Sequence, residues 1–510
     1  MMKCEPSVIR GTLIGRNAVL NLIGLGLPLV VAAIVVPQLI RTLGTERFGI
    51  MALGWTVAGY FTVIDLGLGP AVTKFVSGAL GRGDQEEIPA VTWTSVIIQI
   101  VLGMVGASAL AVAAPLLVHR VLNVPADLVA EAQSAFTVIA LSVPIMLISG
   151  SFRGVLEAAQ HFGIVNAVRG PVSAANYLLP LLGASLGWDL SGIFALIVTS
   201  RFVALFLFFT ASLRLFPSMA VPQFRWSVVP RLLRFGGWVT VSNTVAPVLV
   251  YLDRFLLGAL VTLSTVSYYV APYEMVTRLL IVSSGLSSAL FPAMSTLHEQ
   301  GQSCRLEYLL FRSTKYLLLV LAPLVLTGVV FARDIMAVWL GSEFVEDTVI
   351  VFQVLMVGML LNSLATQPFT LVQATGHPEL GAKIHLLEVP IHIILTFGLV
   401  RLWGISGAAI AWTIRVTLDT LLLFVVAFRI SRVSIQSLLS SKVPHTIAMF
   451  VITGALALLL NMKIESFWLR ALVLTMVFAA LTLGTWHHLT DSADRRQISK
   501  ILHTIEGKLF

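Results

Sequence analysis

The chain has 510 residues, 57% of them hydrophobic and only 11% charged, with a formal net charge of +8 and a mean hydropathy of +0.93. Soluble domains carry about 25% charged residues, so a water-soluble enzyme is excluded. A nucleic-acid binder is excluded too, because no basic patch interleaved with aromatics accompanies the positive charge. Apolar runs of about 20 residues, the length that crosses a bilayer, recur from end to end and predict an all-α integral membrane protein.

Residues 1–16 form a polar tail with Lys3, Arg10 and Arg16. The first apolar run, 18–42, contains Pro28 and Pro37 and is too long for a signal-peptide core, so it reads as a retained helix. The second, 48–77, holds Asp65 near its middle, followed by Gly67-Leu68-Gly69-Pro70. A carboxylate at that depth costs about 2.5–3.5 kcal/mol on the insertion scale. Two readings stay open for it: a pathway or coupling residue beside a hinge made by Gly67, Gly69 and Pro70, or an aspartate that caps or pairs at a helix end. Spans over 90–118, 131–152, 166–187 and 191–213 complete the first six.

After a more polar connector the pattern resumes with spans over 236–260, 265–296, 309–332, 346–371, 383–400 and 404–428. A second connector precedes 446–462 and 467–487. The expected organisation has 14 transmembrane helices: a six-helix lobe over 1–216, a connector over 217–235, a second six-helix lobe over 236–428, a connector over 429–445, helices 13 and 14 within 446–488, and a tail over 489–510.

Loop charge supports the even count. With both termini on one side, that side holds 22 of the 33 Lys and Arg, the opposite side 7, and predicted helices 4. The excess marks the terminal side as cytoplasmic. Cys4 and Cys304 then both face the cytoplasm, where reduced thiols are expected. The halves also echo each other. His161 and His377 are 216 residues apart, Gly192 and Gly407 are 215 apart, and Arg201 and Arg415 are 214 apart. Units of even span number begin on the same side, so this is a parallel repeat, with a central cavity expected between the lobes.

The charges at membrane depth are the candidate functional residues. Asp253 and Arg254 are adjacent and face different sides of their helix. Glu274 and Arg278 are spaced i,i+4 with the acid first, the better order for an ion pair, beside Tyr273. Arg415 and Asp419 share a face of another helix, Arg201 stands at the matching repeat position, and Glu388 precedes Pro390 and His392. Arginines suit a phosphate through their planar donor fork, so Arg201, Arg254, Arg278, Arg415 and Tyr273 are candidate substrate contacts. Asp65, Asp253, Glu274, Glu388 and Asp419 are candidates for ion coupling or gating. Each charge has an alternative role in locking helices together. The ten histidines lack metal spacing, and neither a phosphate-cradling P-loop nor a Ser/His/Asp array occurs, so no metal, cofactor or catalytic centre is expected.

Residues 43–84, LGTERFGIMALGWTVAGYFTVIDLGLGPAVTKFVSGALGRGD, carry a resemblance. The turn from Gly44 to Gly49, Asp65-Leu66-Gly67-Leu68-Gly69, the basic Lys74, and Gly81 with its short acidic tract resemble the signature region of bacterial polysaccharide and O-antigen flippases. These belong to the superfamily that also holds multidrug exporters, and the resemblance spans essentially the whole chain. It implies two six-helix lobes around a cavity that opens alternately to each side of the bacterial inner membrane, both termini being cytoplasmic. It also implies transfer of an undecaprenyl-diphosphate-linked oligosaccharide, with arginines on the diphosphate and membrane lipid around the tail. An H+ or Na+ gradient and a glycan polymerase or assembly machinery are the further partners it admits; nucleic acid is not one. The alternatives are an ion-coupled multidrug exporter and a non-transporting scaffold of a glycan assembly complex.

Overall fold

The computed structural model describes residues 11–61, 65–116, 118, 125–260, 263–340, 345–431, 437, 439 and 441–461. Among the described residues all regular structure is helical. The first half comprises α1 (Gly11–Leu43), α2 (Thr45–Phe61), α3 (Leu68–Arg82), α4 (Glu87–Leu116), α5 (Val129–Ala140), α6 (Ser142–Ala158), α7 (Phe162–Ser185) and α8 (Leu190–Leu215). The second comprises α9 (Val229–Leu260), α10 (Leu263–Thr277), α11 (Leu280–Glu299), α12 (Ser303–Val330), α13 (Ala332–Leu340), α14 (Val345–Ala374) and α15 (Pro378–Ser431), followed by α16 (Val443–Asn461). Among the described residues, seven helical stretches are long and apolar enough to cross a membrane, among them Glu87–Leu116, Val129–Ala158 and Tyr268–Glu299.

The span expected over 48–77 is interrupted. α2 ends at Phe61 and α3 starts at Leu68. Leu66 (φ 50°) and Gly67 (φ 61°) are both left-handed, and two such residues in a row cannot continue a right-handed helix. Pro70 falls in the first turn of α3, where its missing N–H costs nothing. The two spans expected over 383–400 and 404–428 are the arms of α15, separated by non-helical Trp403 and Gly404 (φ 56°). α9 begins at Val229, inside the stretch expected as a connector, and the segment before it is tied down: Trp93 Nε1 donates to the Met219 carbonyl at 2.9 Å.

Helix ends follow a common device. After α6, Gln160 (φ 62°) turns the chain, and the His161 N–H bonds the Leu156 carbonyl at 2.9 Å. After α14, Gly376 (φ 88°) does the same, and the His377 N–H bonds the Val372 carbonyl at 3.1 Å. These are Schellman-type ends, and they fall at the two histidines that mark the sequence repeat.

Helices of each half pack chiefly on one another: α6 against α3, α4 and α8, and α14 against α11, α12 and α15. The halves meet where α1 and α3 pack on α11 and α3 packs on α9. Leu68, Val72 and Val76 of α3 and Phe152 and Val155 of α6 share a buried apolar cluster with Leu232, Phe235 and Val239 of α9. Tyr269, Phe352, Leu355 and Trp412 anchor another in the second half. Cys304 is in a disulfide, not the reduced thiol expected, and Cys4 lies outside the described residues. The helix expected over 467–487 and the tail also lie outside them.

Candidate functional site

A cavity of about 340 Å³ lies where the halves face each other. α3 contributes Gly69, Pro70 and Thr73; α6 contributes Gly150, Arg153 and Glu157; α11 contributes Ser284, Ser287, Ser288 and Phe291; α14 contributes Thr366, Phe369, Thr370 and Gln373. Six hydroxyl side chains and one amide line it, with one arginine, one carboxylate, two phenyl rings, a proline and two glycines, and more of its exposed wall is apolar than polar. The spacing explains the convergence. Ser284, Ser287 and Ser288 fall at i, i+3 and i+4, and Thr366, Thr370 and Gln373 at i, i+4 and i+7, so each set forms one stripe along its helix.

One end of this region is tied shut between α3 and α11. Lys74 Nζ reaches Glu299 Oε1 at 3.1 Å and Arg82 reaches Glu299 Oε2 at 2.6 Å. Ser295 Oγ donates to the Lys74 carbonyl at 3.1 Å and Thr296 Oγ1 to the Ser77 carbonyl at 3.2 Å. The backbones approach this closely because Gly78 and Gly81 face Glu299 and Thr296: a Cβ on Gly81 would stand 3.0 Å from the Thr296 carbonyl oxygen. Arg82 also bonds Glu87 at 2.6 Å, and Arg231 of α9 pairs with that same Glu87, adding a second tie between the halves.

Asp65 is half-buried and accepts a hydrogen bond from the Gly67 N–H at 2.6 Å, so its carboxylate closes the turn between α2 and α3. Gly67 is held against α9, where an added Cβ would come within 2.5 Å of the Gly236 carbonyl oxygen. Gly69 and Pro70, expected as hinge residues, line the cavity.

The expected substrate arginines are not among the residues lining this cavity. Arg415 is buried and bonds Glu388 at 3.1 Å across the two arms of α15. Asp419 stands against Glu388, and His385 Nε2 is 3.9 Å from Asp419. Nearby, Asp253 is fully buried, 2.6 Å from His392 Nε2, and accepts from Tyr269 at 2.8 Å. Arg254 bonds Glu274 at 2.7 Å and lies over the Tyr273 ring, which stacks on Tyr269. Arg278, at 63% exposure, touches Glu274 at only 3.5 Å. Arg201 donates to Ser142 at 2.6 Å inside the first half. Depth in the membrane forces each charge to find a partner within the bundle, and these partners sit on helices the sequence does not show to be neighbours. Sequence reasoning had not singled out Arg153, Glu157, Glu299 or the hydroxyl stripes. The serines at helical spacing in an otherwise apolar run were the readable signal.

Against known proteins, the polysaccharide biosynthesis protein family matches residues 14–298. The Shigella flexneri protein named "Putative O-antigen transporter" is 29% identical over 408 residues, covering 80% of this chain and 96% of that one. The Haloferax volcanii protein named "Probable low-salt glycan biosynthesis flippase" is 24% identical over 191 residues, 38% of this chain and 40% of its own length. Among solved structures, a transporter of the MOP superfamily from Pyrococcus furiosus superimposes with a TM-score of 0.70 at 14% identity, over 84% of this chain and 99% of that one. A MATE transporter of Vibrio cholerae does so with a TM-score of 0.70 at 14% identity, over 84% and 98%. Matched over more than half its length by that family's model, and sharing the fold of MATE transporters, the chain belongs to the polysaccharide biosynthesis protein family.

Proposed function

We propose that this protein moves an undecaprenyl-diphosphate-linked oligosaccharide across the bacterial inner membrane by opening the cavity between its halves alternately to each side. The observation that carries the reading is that cavity's wall. Hydroxyls and an amide from three helices of both halves offer the donor and acceptor pairs a sugar needs, while Phe291 and Phe369 offer apolar faces. Family membership and the names of the relatives support the same substrate class. In this reading the halves are two parallel six-helix lobes of a 14-helix protein with both termini cytoplasmic, and the α3–α11 tie is the cytoplasmic gate. Asp253, Glu388 and Asp419, clustered with His385 and His392 in the second half, are where a coupling H+ or Na+ would bind: Glu388 Oε1 and Asp419 Oδ1 are buried without a hydrogen-bond partner.

The test is transfer of a fluorescent lipid-linked oligosaccharide in proteoliposomes under imposed H+ or Na+ gradients. Ser288, exposed and lining the cavity, accepts a larger side chain without disturbing the core. Wild-type protein transfers the substrate, and Ser288→Phe, folded by thermal unfolding, transfers it at least about tenfold more slowly, a barrier change of about 1.4 kcal/mol. Equal rates for the two proteins, or no transfer by wild type under any gradient, refutes the reading.

A further inference from the structure

Between Asp189 and Asp253 the chain carries five arginines and no aspartate, glutamate or lysine. Two of the five have partners: Arg201 donates to Ser142, and Arg231 pairs with Glu87 of α4. Arg214 near the end of α8, Arg225 in the turn before α9, and Arg234 on α9 are exposed, and none makes an ion pair with a described residue. Asp84 and Glu86, exposed carboxylates of the α3–α4 loop, pair with none of them, and Asp84 accepts from the Glu87 N–H. Beside Arg225 stand Phe224 and Trp226, whose rings meet edge to face at 4.9 Å. Both are exposed, Trp226 at 78%.

The backbone beneath these side chains is held. Trp93 Nε1 donates to the Met219 carbonyl at 2.9 Å, and the Arg225 N–H donates to Thr94 Oγ1 at 3.1 Å. Phe216, Met219 and Val228 are buried in the apolar cluster shared by α3, α6 and α9. The helix leading into this segment identifies what covers its outer face. α8 has 26 residues, a length of about 39 Å, against a hydrocarbon core of about 30 Å. Its last turn, with Arg214, therefore stands among the headgroups. Val203, Phe206 and Leu207 are exposed on this apolar helix, and Arg214 continues their stripe at i+11, i+8 and i+7. The stripe faces acyl chains, and the segment after it lies at the level where tryptophan is favoured, its ring in apolar surroundings and its N–H in wet ones.

We propose that the segment joining the halves, residues 214–234, is a docking surface for anionic phospholipid of the surrounding bilayer. Phe224 and Trp226 sit at the top of the acyl chains, and Arg214, Arg225 and Arg234 hold headgroup phosphates. None of these residues lines the cavity between the halves, and the proposal stands independently of the translocation reading. Docked lipid fixes the stretch of chain that passes from one half to the other, beside the first turn of α9 that carries Arg231 to Glu87.

The experiment places the full-length protein in phosphatidylcholine nanodiscs doped with brominated phosphatidylglycerol in one arm and brominated phosphatidylcholine in the other. Tryptophan emission measured with and without Trp226→Phe isolates the signal of Trp226. Brominated phosphatidylglycerol should quench Trp226 at a mole fraction at least about fivefold lower than brominated phosphatidylcholine, the preference that one arginine gives at an anionic surface. Arg214→Gln, Arg225→Gln and Arg234→Gln combined should make the two lipids equal. Arg214→Lys, Arg225→Lys and Arg234→Lys combined should keep the preference. Unfolding in undoped discs checks that the variants are intact, and the wild-type comparison decides even where one is not. Equal quenching by the two lipids in wild type overturns the proposal, as does a preference that survives the three glutamines. Quenching of Trp226 by aqueous iodide but by neither lipid also overturns it, and would leave the surface to a soluble partner.

Discussion

Removing the Glu299 carboxylate should open the tie between α3 and α11. Glu299 holds Lys74 at 3.1 Å and Arg82 at 2.6 Å. Arg82 keeps Glu87, but Lys74, whose side chain is 4% exposed, keeps no carboxylate. Breaking one side of a fully buried pair costs about 3–5 kcal/mol. Glu299 is 26% exposed, so solvent screens part of this, and about 2–3 kcal/mol is the expected share. In Glu299→Gln that cost falls on the closed arrangement and is relieved when Lys74 reaches water, shifting the closed-to-open ratio by about 30- to 160-fold. Spin labels at Gln85 and Ser303, both exposed and on opposite sides of the tie, report it as a second, longer distance in the variant. Adding Lys74→Met removes the stranded charge and should restore the wild-type distribution. Identical distributions in wild type and Glu299→Gln refute the reasoning.

Two further outcomes follow from the buried geometry. Arg415→Met strands Glu388, which is 0% exposed, and should cost about 3–5 kcal/mol; thermal unfolding in detergent should show a lowered midpoint, largely recovered in the double variant with Glu388→Met, and an unchanged midpoint in the single variant contradicts the pairing. Gly67→Ala introduces a Cβ 2.5 Å from the Gly236 carbonyl oxygen at a backbone φ of 61°; a loss of about 1–2 kcal/mol from the left-handed conformation alone, plus displacement of α9, should lower both stability and oligosaccharide transfer, and wild-type values for both contradict the close approach.

The helices, the family and the special character of residues 65–70 were legible in the sequence because length, hydropathy and a glycine-rich step are local properties. The step proved to be a break, not a bend, because Leu66 joins Gly67 in the left-handed region. Azimuth was not legible. Arg415 and Asp419 were readable as neighbours at i,i+4, but Glu388 comes to Arg415 from the other arm of α15 only because Trp403 and Gly404 fold the chain back. Likewise Glu274 was matched with Arg278 by spacing, whereas its short contact is to Arg254 on another helix. Membrane depth identifies which charges are expensive, and tertiary packing alone decides which partner offsets each. The cavity wall was missed for the converse reason: serine and threonine cost little in an apolar helix, so they do not stand out until several helices aim them at one space.

The break between α2 and α3 has a mechanical consequence. A continuous helix over 48–77 would be a rigid rod of about 45 Å, and tilting one end would swing the other. The chain instead has a 15-residue rod, α3, pinned near its start by Gly236 and near its end by Glu299, while α2 packs on α1 and α5. Because Leu66 and Gly67 break the helix, α2 and α3 do not act as one rod. The ionic tie therefore responds to forces on α3 itself, and α3 is the rod whose first two turns, through Gly69, Pro70 and Thr73, touch whatever fills the cavity.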